Sequence, residues 1–216
     1  DGLQYVLGDL EAPATPSARL TPAIEARENL GWRLGLTAYT FKDNTLFELI
    51  DKAADLGIYS IEGLNVQKVS GEIDKNFDHN LSEEELNSIR EKLIDAGVRI
   101  ASYYIHSIPA NEFECRRIFD FGEKMGIETF LSEPKPEALD IIEKFCKEYD
   151  IQLAIHNHGK KMSPHSWHPD EIMKLCTNRS ALIGACGDMG YWIRSGISPL
   201  EAVRTLKDRL LTLQVH

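Results

Sequence analysis

Ile151-Gln152-Leu153-Ala154-Ile155-His156-Asn157-His158-Gly159 is an apolar run that stops on imidazoles. The pattern recurs twice downstream. Ala181-Leu182-Ile183-Gly184-Ala185-Cys186 leads into Gly187-Asp188, and Leu210-Leu211-Thr212-Leu213-Gln214-Val215 ends on His216. Three consecutive runs of strand length, each closed by His or Asp and separated by helices, gather polar side chains at one rim of a parallel barrel. That rim is where such barrels carry out chemistry. Imidazole and carboxylate together suit a divalent metal.

Working outward, short apolar runs predict strands over residues 33–39, 59–64, 98–105, 128–132, 152–156, 182–188 and 210–216. Six helical segments lie between them. Thr45, Ser82 and Ser198 each stand three residues before a glutamate, the capping-box spacing that satisfies free N–H groups at a helix start. Pro136, Pro169 and Pro199 fit the first helical position, which needs no N–H. Leu86, Ile89, Leu93 and Ile94 share one helical face, as do Leu139, Ile142, Phe145 and Cys146. Gly57, Gly97 and Gly126 stand where a helix closes in a left-handed turn, and Asp150 takes that place once. Strands alternating with helices imply a parallel sheet. Seven strands give a (β/α)8 TIM barrel truncated after its seventh strand. A doubly wound open sheet is the alternative, and the lack of a Gly-rich phosphate loop after the first strand lowers it.

The 216 residues, 43% hydrophobic and 27% charged, allow one sizeable core. Residues 1–30, with Pro13, Pro16 and Pro22 among small polar residues, read as a linker or N-terminal arm, and residues 31–216 as the barrel domain. No apolar stretch approaches the roughly 18 residues of a membrane span. A net charge of −10 argues against a nucleic-acid partner. The four cysteines are scattered without a C-x-x-C pair and read as buried thiols, compatible with a reducing compartment. A cytoplasmic location is slightly favoured, with a periplasmic one open if a leader was removed.

The polar groups expected at the rim are Tyr39, Glu62, His106, Glu133, His156, His158, Asp188 and His216. His156 and His158 alternate along one strand, so both imidazoles face the same way and Asn157 the other. Two histidines so spaced suit two metal contacts, or one metal and one substrate contact. His168 is positioned to cap the next helix, with His165 and Trp167 at the pocket border.

From about Trp32 the chain resembles the xylose isomerase-like TIM barrels, which include sugar-phosphate isomerases and epimerases and the family-2 AP endonucleases. Four stretches carry the resemblance. They are Gly35-Leu36-Thr37-Ala38-Tyr39-Thr40-Phe41, Ala154-Ile155-His156-Asn157-His158-Gly159, Gly184-Ala185-Cys186-Gly187-Asp188-Met189-Gly190 with Arg194-Ser195-Gly196, and Thr212-Leu213-Gln214-Val215-His216. It implies a divalent metal held by His156, Asp188 and His216. His156 stands where many members have a ligating Glu, so the first ligand reads either as His156 or as Glu133 from the neighbouring strand. Tyr191 stands where the family's D-x-G-H motif has its His, and the Glu of the eighth strand has no counterpart here.

The expected activity is metal-dependent isomerisation or epimerisation of a small sugar, sugar phosphate or keto-sugar through an enediolate. Glu133 or His158 would be the base, with Glu62, His106 and Tyr191 on the substrate. Mn²⁺, Co²⁺ or Zn²⁺ is favoured over Mg²⁺ by the mixed donors. A lyase using the same proton abstraction and a non-catalytic sugar-binding barrel are the alternatives, and a nuclease is disfavoured by the acidity. The partner is a small carbohydrate, not nucleic acid or membrane; unpaired sheet edges are compatible with a homo-oligomer.

Overall fold

The computed structural model describes Asn29 and residues 31–215. Residues 1–28, Leu30 and His216 lie outside them, and with them the linker or arm expected over residues 1–30. The strands are β1 (Leu36–Thr37), β2 (Ser60–Leu64), β3 (Arg99–Tyr104), β4 (Thr129–Ser132), β5 (Gln152–His156), β6 (Ile183–Asp188) and β7 (Leu210–Gln214). They form one parallel sheet in sequence order. The helices between them are α1 (Leu46–Asp55), α2 (Glu83–Ala96), α3 (Glu112–Met125), α4 (Leu139–Tyr149) and α5 (Pro169–Cys176), with α6 (Met189–Arg194) and α7 (Pro199–Leu206) both between β6 and β7. This is a (β/α)8 barrel truncated after its seventh strand.

Local chemistry explains the element ends. Thr45 with Glu48 and Ser82 with Glu85 form reciprocal capping boxes, whereas Ser198 only accepts from the Glu201 N–H. His168 caps α5 by accepting from the Asp170 N–H. Gly97 and Gly126 close α2 and α3 at φ of 64° and 66°. Asp150 holds the same left-handed turn after α4 at φ 54°, a conformation that short polar side chains tolerate. β1 is shorter than expected. The Thr37 hydroxyl accepts from the Tyr39 N–H and turns the chain into a 3₁₀ segment, Ala38–Phe41, that leaves Tyr39 exposed.

The main core lies between sheet and helices. Phe130, Leu153, Ile155, Ile183 and Ala185 meet apolar helical faces such as Leu139, Ile142, Phe145 and Cys146. Alternate residues of the same strands point the other way, where Leu131, Ala154 and Cys186 form a second, inner cluster. Two-residue steps along these strands turn the period into function. Leu131 leads to Glu133, Ala154 to His156 and then His158, and Cys186 to Asp188, so the inner face ends in acids and imidazoles. All four cysteines are free and buried. β4 and β6 are buried throughout, while β1 and β7 are half-buried at the sheet edges.

Candidate metal centre and active site

Glu133 follows β4 and His158 follows β5, and Glu133 is placed by its own backbone, whose N–H donates to the His106 carbonyl. Its side chain is 5% exposed. His158 Nδ1 lies 2.5 Å from Glu133 Oε1, the Tyr104 hydroxyl donates to the same oxygen at 2.8 Å, and the Ser163 hydroxyl donates to Oε2. Burial pushes the Glu133 carboxyl up, but His156, His158 and Tyr104 around it outweigh burial and hold it at about 2. Glu133 is therefore a fixed anion. Because it accepts, His158 carries its proton on Nδ1 and leaves Nε2 as the basic nitrogen.

His156 sits between two carboxylates. Its Nδ1 is 3.7 Å from Glu133 Oε1 and its Nε2 is 3.8 Å from Asp188 Oδ2. Nε2 also lies 2.9 Å from Gln214 Oε1 on β7. Burial pulls the His156 pKa down, yet Glu133, Gln214 and Asp188 together raise it. His156 Nδ1 is buried and has no hydrogen-bond partner. Its ring and that of His158 have centroids 4.6 Å apart. Among the described residues, Glu133, His156 and His158 offer three donor atoms within 4.8 Å of one another, a cluster able to ligate a divalent metal.

Second-layer contacts fix this arrangement. Asn157 is fully buried on the opposite side of β5, as the alternation predicts. Its amide donates to the Asp188 carbonyl at 3.1 Å and its oxygen accepts from the Asp188 N–H at 2.8 Å, tying the ends of β5 and β6 together. Asp188 Oδ1 caps α6 by accepting from the Tyr191 N–H at 2.8 Å. The Ser166 hydroxyl donates to the His156 carbonyl at 2.8 Å. Gly187 allows Trp192 to pack beneath, since a Cβ there would stand 2.5 Å from the indole.

Glu62, Tyr191 and His106 are also on this rim, whereas His216 lies outside the described residues. Glu62 follows a β-bulge at Ile61/Glu62 and accepts from the Thr37 hydroxyl at 2.9 Å and from the Gln214 amide at 2.9 and 3.0 Å. Burial pushes its carboxyl up, with Thr37 and Gln214 opposing. Tyr191 packs edge-on to His158, centroids 4.5 Å apart, under the Arg194 guanidinium. His106 is largely exposed, with Nδ1 3.2 Å from the Tyr104 hydroxyl. His165 is exposed, while Trp167 is partly covered under the Lys160 ammonium.

Tyr104, Ser163, Thr37 and Gln214 were not anticipated. Gln214 had a usable signal, because it stands two residues before His216 and so shares its face of the strand. Ser163 had none. Its loop reaches Glu133 only through the fold.

A cluster able to ligate a metal, at the carboxyl ends of parallel barrel strands, is the arrangement of the metal-binding (β/α) barrels. A protein from Parabacteroides distasonis, 30% identical, superposes with a TM-score of 0.71 over 84% of this chain and 73% of its own. The chain belongs to the xylose isomerase-like TIM-barrel family. Two more distant structures share the fold. D-psicose 3-epimerase from Clostridium cellulolyticum, with D-tagatose, is 10% identical with a TM-score of 0.65, covering 83% of this chain and 71% of its own. The 3-keto-D-glucoside 4-epimerase from E. coli is 8% identical with a TM-score of 0.61, covering 84% and 77%. No family model and no curated protein matches the chain. No helix among the described residues is long and apolar enough to cross a membrane.

Proposed function

We propose that the chain is a metal-dependent isomerase or epimerase of a small sugar, sugar phosphate or keto-sugar, working by proton abstraction next to a carbonyl. The observation that carries this reading is the Glu133–His158 contact beside the unpartnered His156 Nδ1. The first is an oriented base and the second a bare donor atom in a buried, acidic setting.

The residues fit a divalent cation. Two donor sets meet at His156. Glu133 stands on its Nδ1 side, with His158 held against Glu133 as the base, and Asp188 stands on its Nε2 side, where the family resemblance adds His216. Imidazole with carboxylate favours Mn²⁺, Co²⁺ or Zn²⁺ over Mg²⁺. When bound, the cation polarises vicinal substrate oxygens and offsets charge developing on the carbonyl oxygen.

The chain's own residues supply the proton chemistry. Glu133, held at about 2, is a weak proton acceptor at neutral pH and acts by orienting His158. His158 Nε2 takes the proton from the carbon beside the carbonyl and leaves an enediolate. Return of that proton to the other carbon isomerises the substrate, and delivery of a proton to the opposite face of the same carbon by a second acid epimerises it. Expulsion of a group β to the carbonyl would make the same enolate a lyase product. Tyr191, stacked edge-on against His158, and His106 border the substrate, and Glu62 supports the site through Gln214.

The test is metal content followed by exchange in D₂O. We expect roughly one cation per chain and metal-dependent incorporation of deuterium at the carbon next to the carbonyl of a ketose or keto-sugar. Full metal occupancy without exchange across ketoses, ketose phosphates and keto-glycosides would overturn the reading and leave a binding-only barrel.

A further inference from the structure

Glu62 and His156 lie on strands far apart in sequence, and Gln214 joins them. Its Nε2 faces both Glu62 oxygens at 2.9 and 3.0 Å, and its Oε1 faces His156 Nε2 at 2.9 Å. With Glu62 ionised, the amide has only one workable orientation. Turned over, its carbonyl oxygen would meet the Glu62 carboxylate, which already accepts from Thr37, and two acceptors would face each other at hydrogen-bond distance. Glu62 thereby presents the Gln214 oxygen to His156. An amide oxygen only accepts, so His156 Nε2 must donate.

A neutral imidazole has one N–H. With that proton on Nε2, Nδ1 carries a lone pair. It is the atom that is buried without a hydrogen-bond partner. Across from it, 3.7 Å away, is Glu133 Oε1. That separation is too long for a hydrogen bond. It is near the spacing of two ligands on one cation, roughly 3.4 Å when each bond is about 2.1 Å.

We propose that Gln214 is a positioning residue that fixes the His156 tautomer, so that His156 binds the metal through Nδ1 on the Glu133 side and not through Nε2 on the Asp188 side. This rests on the metal-dependent reading above. It adds which of the two donor sets is used, and a chain from Thr37 through Glu62 and Gln214 that selects it. Outer-layer partners of this kind orient a ligating histidine by engaging its second nitrogen.

The experiment is ¹⁵N NMR of histidine-labelled, metal-free protein, recorded at alkaline pH where the imidazole shifts no longer move. The His156 signals are those lost in His156→Gln. Wild type is expected to show a bare Nδ1 and a protonated Nε2, with added Zn²⁺ shifting Nδ1 while the Nε2–H persists. Gln214→Leu should average the two nitrogens and weaken Zn²⁺ binding, measured calorimetrically, by about 10- to 100-fold. The exchange double variant Glu62→Gln with Gln214→Glu keeps a donor at 62 and an acceptor at 214, and should restore both readouts. A merely structural role would not be rescued in this way.

A proton on Nδ1 in wild type, Zn²⁺ at Nε2, or an unchanged tautomer in Gln214→Leu overturns the proposal. If wild type shows the stated tautomer but binds no Zn²⁺, Mn²⁺ or Co²⁺, the relay stands. The metal-dependent reading, and the ligand choice resting on it, then falls.

Discussion

Glu133 at the barrel rim and Glu143 on the outer helix α4 are both held at about 2, and both side chains are largely covered, 5% and 13% exposed. In each, burial pushes the carboxyl up and its neighbours more than reverse it. The neighbours differ. Glu143 has the Lys147 ammonium at 2.8 Å, the Ser180 N–H at 2.9 Å and the Arg179 guanidinium at 3.0 Å. Glu133 has two imidazoles, a phenol and a serine hydroxyl. Lysine and arginine keep their charge at any working pH, so Glu143 is a clamp holding α4 to the segment after α5. Imidazoles exchange protons near neutral pH, and both imidazoles and hydroxyls yield their place to a cation or substrate oxygen, so Glu133 belongs to a centre that can react. A depressed pKa alone does not mark a site. The chemistry of the partners does.

The largest effect should come from removing the Glu133 charge. Glu133→Gln leaves His158 without its orienting anion and removes one carboxylate from the metal cluster. We expect kcat/KM for substrate proton exchange to fall by about 10²- to 10⁴-fold, together with weaker metal binding. Glu143→Gln should leave both unchanged. Equal losses in the two variants, by exchange kinetics and metal titration, would erase the distinction.

Stability should show the reverse order. Glu143→Gln takes one carboxylate from the Arg179 guanidinium, which keeps Asp140 and the Leu175 carbonyl, and weakens the contact with the Ser180 N–H. A cost of about 1–3 kcal/mol is expected for weakening charge-assisted hydrogen bonds at a covered position. Urea unfolding at neutral pH measures it. A variant as stable as wild type would mean that the Arg179 cluster is no clamp.

The two glutamates also differ in how far the sequence revealed them. Glu133 was visible because it ends an apolar run before a proline, in step with His156 and His158 on the next strand. Strand order and most helix ends were visible for similarly local reasons. Glycine or Asp150 closes helices, hydroxyls open them, and alternation assigns the faces. What stayed hidden was carried by long-range partners without a pattern. Ser163 meets Glu133 from 30 residues away, and Gln214 meets Glu62 from 152. Neutral polar side chains such as these are common in loops and at strand ends, so only the curvature of the sheet gives them a role. Thr37 shows the same limit locally, since its hydroxyl ends β1 two residues before Tyr39, where alternation alone would continue the strand.

The smallest effect is the acid dependence of the Glu143 clamp. Its folded pKa of about 2 lies below the ordinary 4.5, so the clamp's stability is fully present above pH 4.5 and is lost as pH falls towards 2. Glutamine does not titrate. The stability gap between wild type and Glu143→Gln should therefore hold constant above pH 4.5 and close progressively below it, as followed by urea unfolding at successive pH values. A gap that stayed open down to pH 2 would trace the loss to side-chain packing. It would also remove the premise that the two glutamates are held down alike.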